Sequence, residues 1–96
     1  MSDIPVVEYN SAASRFEIPT AAGKAVLTFK LEGDTIDLQH TSVPPALEGG
    51  GYGSALARAA LEHAREHHLH VIPTCAFVTA YMKRHKQYDD LLATKT

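Results

Sequence analysis

Hydrophobic and polar residues alternate with a period of two over the first 42 residues, which is the pattern of half-buried β-strands. The alternation is clearest at 24–31, where Leu27, Phe29 and Leu31 share one face. In a later run, the same alternation puts His40 on the face of the apolar positions. Turn-forming residues separate the runs. We therefore predict antiparallel strands at Val6–Asn10, Ser14–Ile18, Lys24–Leu31 and Thr35–Thr41.

The spacing becomes helical after residue 50. Alanine, leucine and histidine recur three and four residues apart over Gly51–His68, and apolar residues do so again over Phe77–His85. A short β-prone run, His70–Thr74, lies between the two helices. The order β-β-β-β-α-β-α predicts a mixed α/β (α+β) fold in a single domain, 1–96. Three further apolar residues predict that the tail folds back onto this core: Tyr88, Leu91 and Leu92.

Composition and charge exclude several classes of protein. Lys and Arg total 9 and Asp and Glu total 11 in 96 residues, a net charge of −2, which argues against a nucleic-acid partner. No apolar run approaches the roughly 18 residues of a membrane span, and Met1–Pro5 is not a secretory signal. A single cysteine, Cys75, forms no internal disulfide. We therefore expect a cytoplasmic protein without a membrane partner.

A glycine-rich loop joins the fourth strand to the first helix. The first amides of a helix are unpaired and its N-terminus is partly positive, so glycines there leave an anion free access to the backbone. The backbone of Gly49–Ser54 is therefore a candidate phosphate cradle. A P-loop requires a lysine followed by Ser or Thr, which is absent after Gly53, and the dinucleotide fingerprint lacks its third glycine.

Three segments carry a family resemblance: HTSVPPALEG at 40–49, GYGSAL at 51–56 and VIPTCAFV at 71–78. Together they resemble the GNAT acetyltransferases, and within them a compact stand-alone branch. The likeness covers about Phe16 to Leu92. It departs from the superfamily motif at Glu48, where Gln or Arg is usual. The resemblance implies a minimal GNAT fold that lacks the usual helices between the first strands.

The resemblance also implies a cofactor, acetyl-CoA. Its pantetheine arm is expected between the fourth strand and the strand at 70–74, and its pyrophosphate on the glycine-rich loop. Arg84 is expected at the 3′-phosphate of CoA, or else on a solvated basic helix face. The cofactor-binding residues implied are Thr41, Ser42, Val43, Gly49, Gly50, Gly51, Tyr52, Gly53, Ser54 and Arg84.

Two residues are candidates for catalysis. Cys75 precedes a helix, where the pKa of a thiol falls. It either attacks the thioester, sits against the acetyl group and helps proton transfer, or packs as a small buried hydrophobe. His40 is either the general base for the acceptor amine or a packed histidine at the rim. By the same resemblance, Tyr81 is either the general acid for the CoA thiolate or a core residue.

The expected reaction is acetyl transfer to an unidentified amine, with a protein or peptide as one candidate acceptor. Two routes stay open: direct attack by the amine, or a ping-pong route through acetyl-Cys75. The alternative is a CoA-binding module that does not turn over or that acts with a partner. A third interpretation is a structural protein whose glycines only shape a turn.

Histidines in the second half of the chain are candidate metal ligands. His63 and His67 stand four residues apart on the first helix. No acid follows the first of them, as the zinc-protease motif requires, so we predict no metal site.

Overall fold

A five-stranded sheet forms one layer of the molecule. The structure, a computed structural model, describes residues 6–93; the expectation for Met1–Pro5 therefore concerns residues outside the described part. The strands lie side by side in chain order, antiparallel except for the last pair, which is parallel. They are β1 (Glu8–Asn10), β2 (Arg15–Thr20), β3 (Gly23–Glu32), β4 (Thr35–Ser42) and β5 (His70–Ile72).

Two helices cover one face of this sheet. α1 (Tyr52–Glu66) makes the crossover that a parallel pair requires, from β4 to β5, and α2 (Ala76–Arg84) follows β5. The buried face of α1 is rich in alanine, which lets the helix approach the strands closely. In the described part of the chain, no helix is long and apolar enough to cross a membrane.

The core lies between the sheet and the helices. Leu27 and Leu38 of the sheet and Leu56 and Val78 of the helices have no exposed surface. Burial of each such side chain contributes roughly 1.5–3 kcal/mol. A short 3-10 helix, Lys86–Leu91, returns the chain to this core and confirms that the tail folds back.

The opposite face of the sheet carries no helix among the described residues, and it mixes polar side chains with Val26 and the exposed Ile72. Glu17 is almost fully buried there, held by an ion pair with Arg15 and by Lys24 Nζ at 3.3 Å. Asn10 donates a third hydrogen bond to the same carboxylate. This network lets an antiparallel sheet keep one face toward solvent.

A β-bulge interrupts β4 and corrects one expectation. Thr28 pairs with His40, but the next residue of β3, Phe29, pairs with Leu38, so Gln39 is an extra residue. The bulge reverses the alternation beyond it. His40 is therefore exposed rather than on the buried face of Leu38, and Thr41 faces the helices. The prediction that His40 shares a face with Ile36 and Leu38 is wrong.

The predicted element order and the mixed α/β class are confirmed, while several boundaries differ. The meander has no helix between its first strands, as the resemblance implied: β1 and β2 are joined by a turn at 11–14. β5 ends at Ile72 instead of Thr74, because Pro73 has no N–H to donate to a neighbouring strand. α1 stops two residues before His68, which adopts a positive φ of 57°.

We expect Tyr88→Phe to lower the free energy of unfolding by about 1 kcal/mol. Its hydroxyl donates a 2.6 Å hydrogen bond to Glu62 of α1 and so fastens the tail to the helix. Tyr9→Phe is the matched control, because the Tyr9 side chain is 44% exposed and stacks without such a bond. Equal effects of the two substitutions in chemical denaturation would contradict this role.

Candidate functional site

β4 and β5 diverge beyond a short paired segment. Thr35–Asp37 pairs with His70–Ile72, and the last link is a 2.8 Å hydrogen bond from the Cys75 N–H to the Leu38 carbonyl. β4 then continues to Ser42, paired with β3 on its other side. In the part of the chain that the structure describes, no backbone hydrogen bond joins residues 39–42 to the β5 side. A gap with free backbone groups therefore opens between the strands.

A cleft of about 440 Å³ adjoins this gap. The structure brings most of the predicted cofactor-binding residues to its walls: Thr41, Val43, Gly49, Gly51, Tyr52, Gly53, Ser54 and Arg84. Ser42 and Gly50 are their exposed chain neighbours and do not line the cleft. A segment of β4, the glycine-rich loop and α2 thus meet at one cavity.

The N-terminus of α1 opens into this cleft without a cap. Gly51 is the N-cap residue and has a φ of 85°, a left-handed conformation that favours glycine. No side chain caps the helix and its first turn holds no acidic residue. The first amides of α1 and its partial positive charge therefore remain available to an anion in the cleft.

Cys75 lies at the inner end of the β4–β5 gap, at the N-cap position of α2. Its Sγ is 3.3 Å from Oγ1 of Thr41, which the bulge has turned toward it. Burial raises the pKa of the thiol, but hydrogen bonds from the Thr41 hydroxyl and from the backbone N–H groups of Val78 and Phe77 outweigh burial. The net pKa of the thiol lies below the ordinary cysteine value. At a given pH, a larger fraction of Cys75 is therefore thiolate than in a free cysteine.

His40 is exposed on the helix-free face of the sheet, next to Thr41. On the same side, the Thr74 hydroxyl donates a 2.5 Å hydrogen bond to Asp37 Oδ1. The structure therefore puts His40 and Cys75 on either side of β4 instead of in direct contact. His40 is therefore accessible from the uncovered face, and its role as a base stays a prediction.

Phe77 is a cleft residue that the sequence prediction missed. Its ring lines the cleft and is 40% exposed, and a Cβ added at Gly53 would lie 2.8 Å from the ring. Gly53 thus leaves room for the Phe77 ring of α2 to lie against the first turn of α1. The sequence did contain a signal. Phe77 lies two residues after Cys75, and its position does not share the helical spacing of the apolar residues Val78 and Tyr81.

The two remaining α2 candidates occupy different surroundings. Arg84 is exposed and lines the cleft. Tyr81 is buried and lines a neighbouring groove against His85, and burial raises the pKa of its hydroxyl. Its proposed role as the general acid stays a prediction.

The histidines of α1 form an aromatic contact. The rings of His63 and His67 lie 4.2 Å apart, and Tyr9 stacks on His63 at 4.3 Å. Within residues 6–93, no group of three His, Cys, Asp or Glu side chains is arranged to hold a metal ion.

The family model for GCN5-related N-acetyltransferases matches residues 15–91, and the chain belongs to this family. It carries a GNAT-type N-acetyltransferase domain.

Particular relatives bear the name Protein NATD1. The Danio rerio protein is 36% identical over 87 residues, covering 85% of this chain and 79% of that protein. The Xenopus tropicalis protein is 41% identical over 61 residues, covering 62% of this chain and 56% of that protein, so this match spans little more than half of the relative. An NMR structure of a GCN5-like protein from Staphylococcus aureus has a TM-score of 0.72 and 28% identity, covering 100% of this chain and 94% of that one.

We predict that Cys75 reacts with iodoacetamide with a pH midpoint below that of a free cysteine. Thr41→Val should raise the midpoint, because the thiolate then loses the hydroxyl donor at 3.3 Å. Thr41→Ser keeps the hydroxyl and is the control. The labelling rate is followed by intact-mass spectrometry across pH. Identical midpoints in all three proteins would show that Thr41 does not tune the thiol.

Proposed function

We propose that the chain is an acetyl-CoA-dependent N-acetyltransferase that transfers an acetyl group to an unidentified amine. The observation that carries the proposal is the cleft between β4 and the glycine-rich loop, which joins free strand backbone to an uncapped helix N-terminus. This combination suits a ligand with an amide-bearing arm and a diphosphate. CoA has both parts in that order.

In the proposed complex, the pantetheine amides pair with the backbone of Thr41–Val43 in the gap beyond Leu38. The pyrophosphate lies on the amides of Gly49–Ser54, and Arg84 supplies a charged group at the cleft wall. The acyl thioester is then directed toward the inner end of the gap, where Cys75 lies. Backbone N–H groups of β4 beyond Leu38 are proposed to polarise its carbonyl.

The amine acceptor is proposed to arrive from the helix-free face, because the helices and the cofactor occupy the other side. His40 on that face accepts the proton as the amine nitrogen forms its bond to the acetyl carbon and the C–S bond to CoA breaks. In the ping-pong alternative, the Cys75 thiolate first takes the acetyl group and releases CoA thiol. The lowered pKa of Cys75 supports this second route.

A CoA-binding module without turnover is the second candidate. The absence of any described helix over the acceptor face supports it, because that face offers an acceptor little enclosure. A protein or peptide amine, which brings its own surface, fits such an open face better than a small amine.

A cytoplasmic location completes the proposal, since a lone cysteine suits a reducing compartment.

We expect acetyl-CoA to raise the melting temperature, and Ser54→Asp to remove the shift. A ligand at about 100 times its Kd stabilises the folded state by about 2.7 kcal/mol. Ser54 lies in the first turn of α1, so an aspartate there repels phosphates but favours the helix dipole and leaves the unliganded protein stable. Ser11→Asp, in an exposed turn, is the matched charge control. No shift in the unsubstituted protein at millimolar acetyl-CoA would reject both CoA-binding candidates.

We expect incubation with acetyl-CoA alone to add one acetyl group to the protein if the ping-pong route operates. Cys75→Ala should then abolish the adduct and strongly reduce CoA release to peptide amines, followed by intact mass and thiol trapping. CoA release only in the presence of an amine, without an adduct and unchanged in Cys75→Ala, would establish direct transfer. Binding without release in a broad amine screen would favour the module.

A further inference from the structure

β1 forms one edge of the sheet and has little backbone pairing. It is three residues long, and nothing among residues 6–93 pairs with its outer side. One of its pairs puts Glu8 directly opposite Glu17, and like charges in that position destabilise a sheet. Asn10 offsets this with a 3.2 Å hydrogen bond to Glu17. The attachment of β1 therefore depends strongly on the side chain that it sends to the covered face.

Tyr9 is the β1 side chain that reaches α1. Its ring stacks on His63 at 4.3 Å and on Phe29 at 5.8 Å, and it contacts Phe16 at 5.3 Å. Phe16 and Phe29 are buried, whereas Tyr9 itself is partly exposed. Tyr9 is thus a cover that shields two core rings from water while it is stacked on His63.

A proton on His63 is opposed by its surroundings. The ring is half-buried between Tyr9 and Phe16, and the His67 ring lies 4.2 Å away, one turn further along α1. Burial, and then His67, lower the pKa of His63, while Glu66 raises it to a smaller extent. The neutral imidazole is therefore the form that fits beneath Tyr9.

Few charged side chains face this cluster of rings. On α1 they are His67 and Glu66, because Glu62 and Arg65 are turned to the tail. The strands contribute only rings, since their charged residues near the cluster lie on the uncovered face of the sheet: Glu8, Arg15, Glu17, Lys24 and Lys30. Ordinary carboxyl groups titrate below pH 5, so a mild fall in pH acts on the cluster through its two histidines.

We propose that His63 is a pH-sensitive latch, which holds β1 on the domain when its ring is neutral and releases β1 when its ring is protonated. On release, the imidazolium gains water and is freed from its stack, so protons favour the open form. The pKa of His63 is lower in the folded state than in the released state. The stability that the latch contributes is therefore complete above about pH 6.5, the ordinary histidine value, and is lost as the pH falls through the lower pKa.

Release of β1 would change two surfaces of the domain. The rings of Phe16 and Phe29 would lose their cover and meet water. Val6 and Val7 directly precede β1 and line the groove beside Tyr81, so they would move with the strand. The latch operates in the unliganded protein and is independent of the proposed function.

The test is amide hydrogen exchange of the unliganded protein from about pH 7.5 to about pH 5.5, at constant ionic strength. We expect the protection factors of the paired amides of β1 and β2 to fall with the pH, by up to about tenfold per pH unit for one linked proton. Amides of β3 and β4, in the centre of the sheet, should keep their protection. NMR titration of the imidazole over the same range should give His63 a pKa below the ordinary histidine value.

Three variants separate the latch from general acid sensitivity. His63→Phe keeps a ring beneath Tyr9 that cannot be protonated, so it should abolish the pH dependence. His67→Gln removes the repelling charge, so it should raise the pKa of His63 and weaken the pH dependence. His70→Phe, on the uncovered face, is the matched control and should leave the pH dependence unchanged.

The latch is contradicted if the protection of β1 stays constant over this range, or if its loss persists in His63→Phe. Simultaneous loss of protection in β1 and in the central strands would also contradict it, because the whole fold would then be responding. Should His63→Phe fail to fold, the imidazole titration of the unsubstituted protein decides. A pKa of His63 at or above the ordinary histidine value would then reject the latch.

Discussion

The chemistry of the cleft depends on one extra residue in β4. Gln39 has no opposite number in β3, so the side chains beyond it change faces. Thr41 consequently meets Cys75 at 3.3 Å, and His40 faces the uncovered side of the sheet. In a regular strand, the histidine would point at the thiol and the threonine would point away. The bulge therefore separates the Cys75 thiol, on the helix-covered side of the sheet, from the His40 imidazole on the uncovered side.

The cleft also depends on where β5 ends. Pro73 ends the pairing that began at His70, while β4 continues to Ser42, and the gap between them leads to the first turn of α1. α2 starts at the same gap and directs its first amides at Cys75. Two helix N-termini and one unpaired strand edge therefore surround a single cavity. This arrangement, more than any one side chain, underlies the proposal of an anionic thioester cofactor.

The sequence predicted the element order and most of the cleft, because both follow from local patterns. Alternation located the strands, helical spacing located α1 and α2, and glycines marked the loop at 49–53. The bulge was not predictable, since Gln39 sits in a run that alternates normally. The hydrogen bond between Tyr88 and Glu62 could not be predicted from the sequence either, because it joins residues 26 positions apart.

Both helices that face the cleft begin without an acidic residue, and no side chain caps α1. An N-cap side chain is commonly worth about 1 kcal/mol, and an acidic residue in the first turn a few tenths more. In a small domain, whose core is thin, this is a noticeable part of the total stability. Substitutions that optimise these helix starts would make the unliganded fold more robust and occupy the amides that an anion needs. At the N-termini of these helices, the stability of the unliganded fold is therefore traded against the proposed binding of an anion.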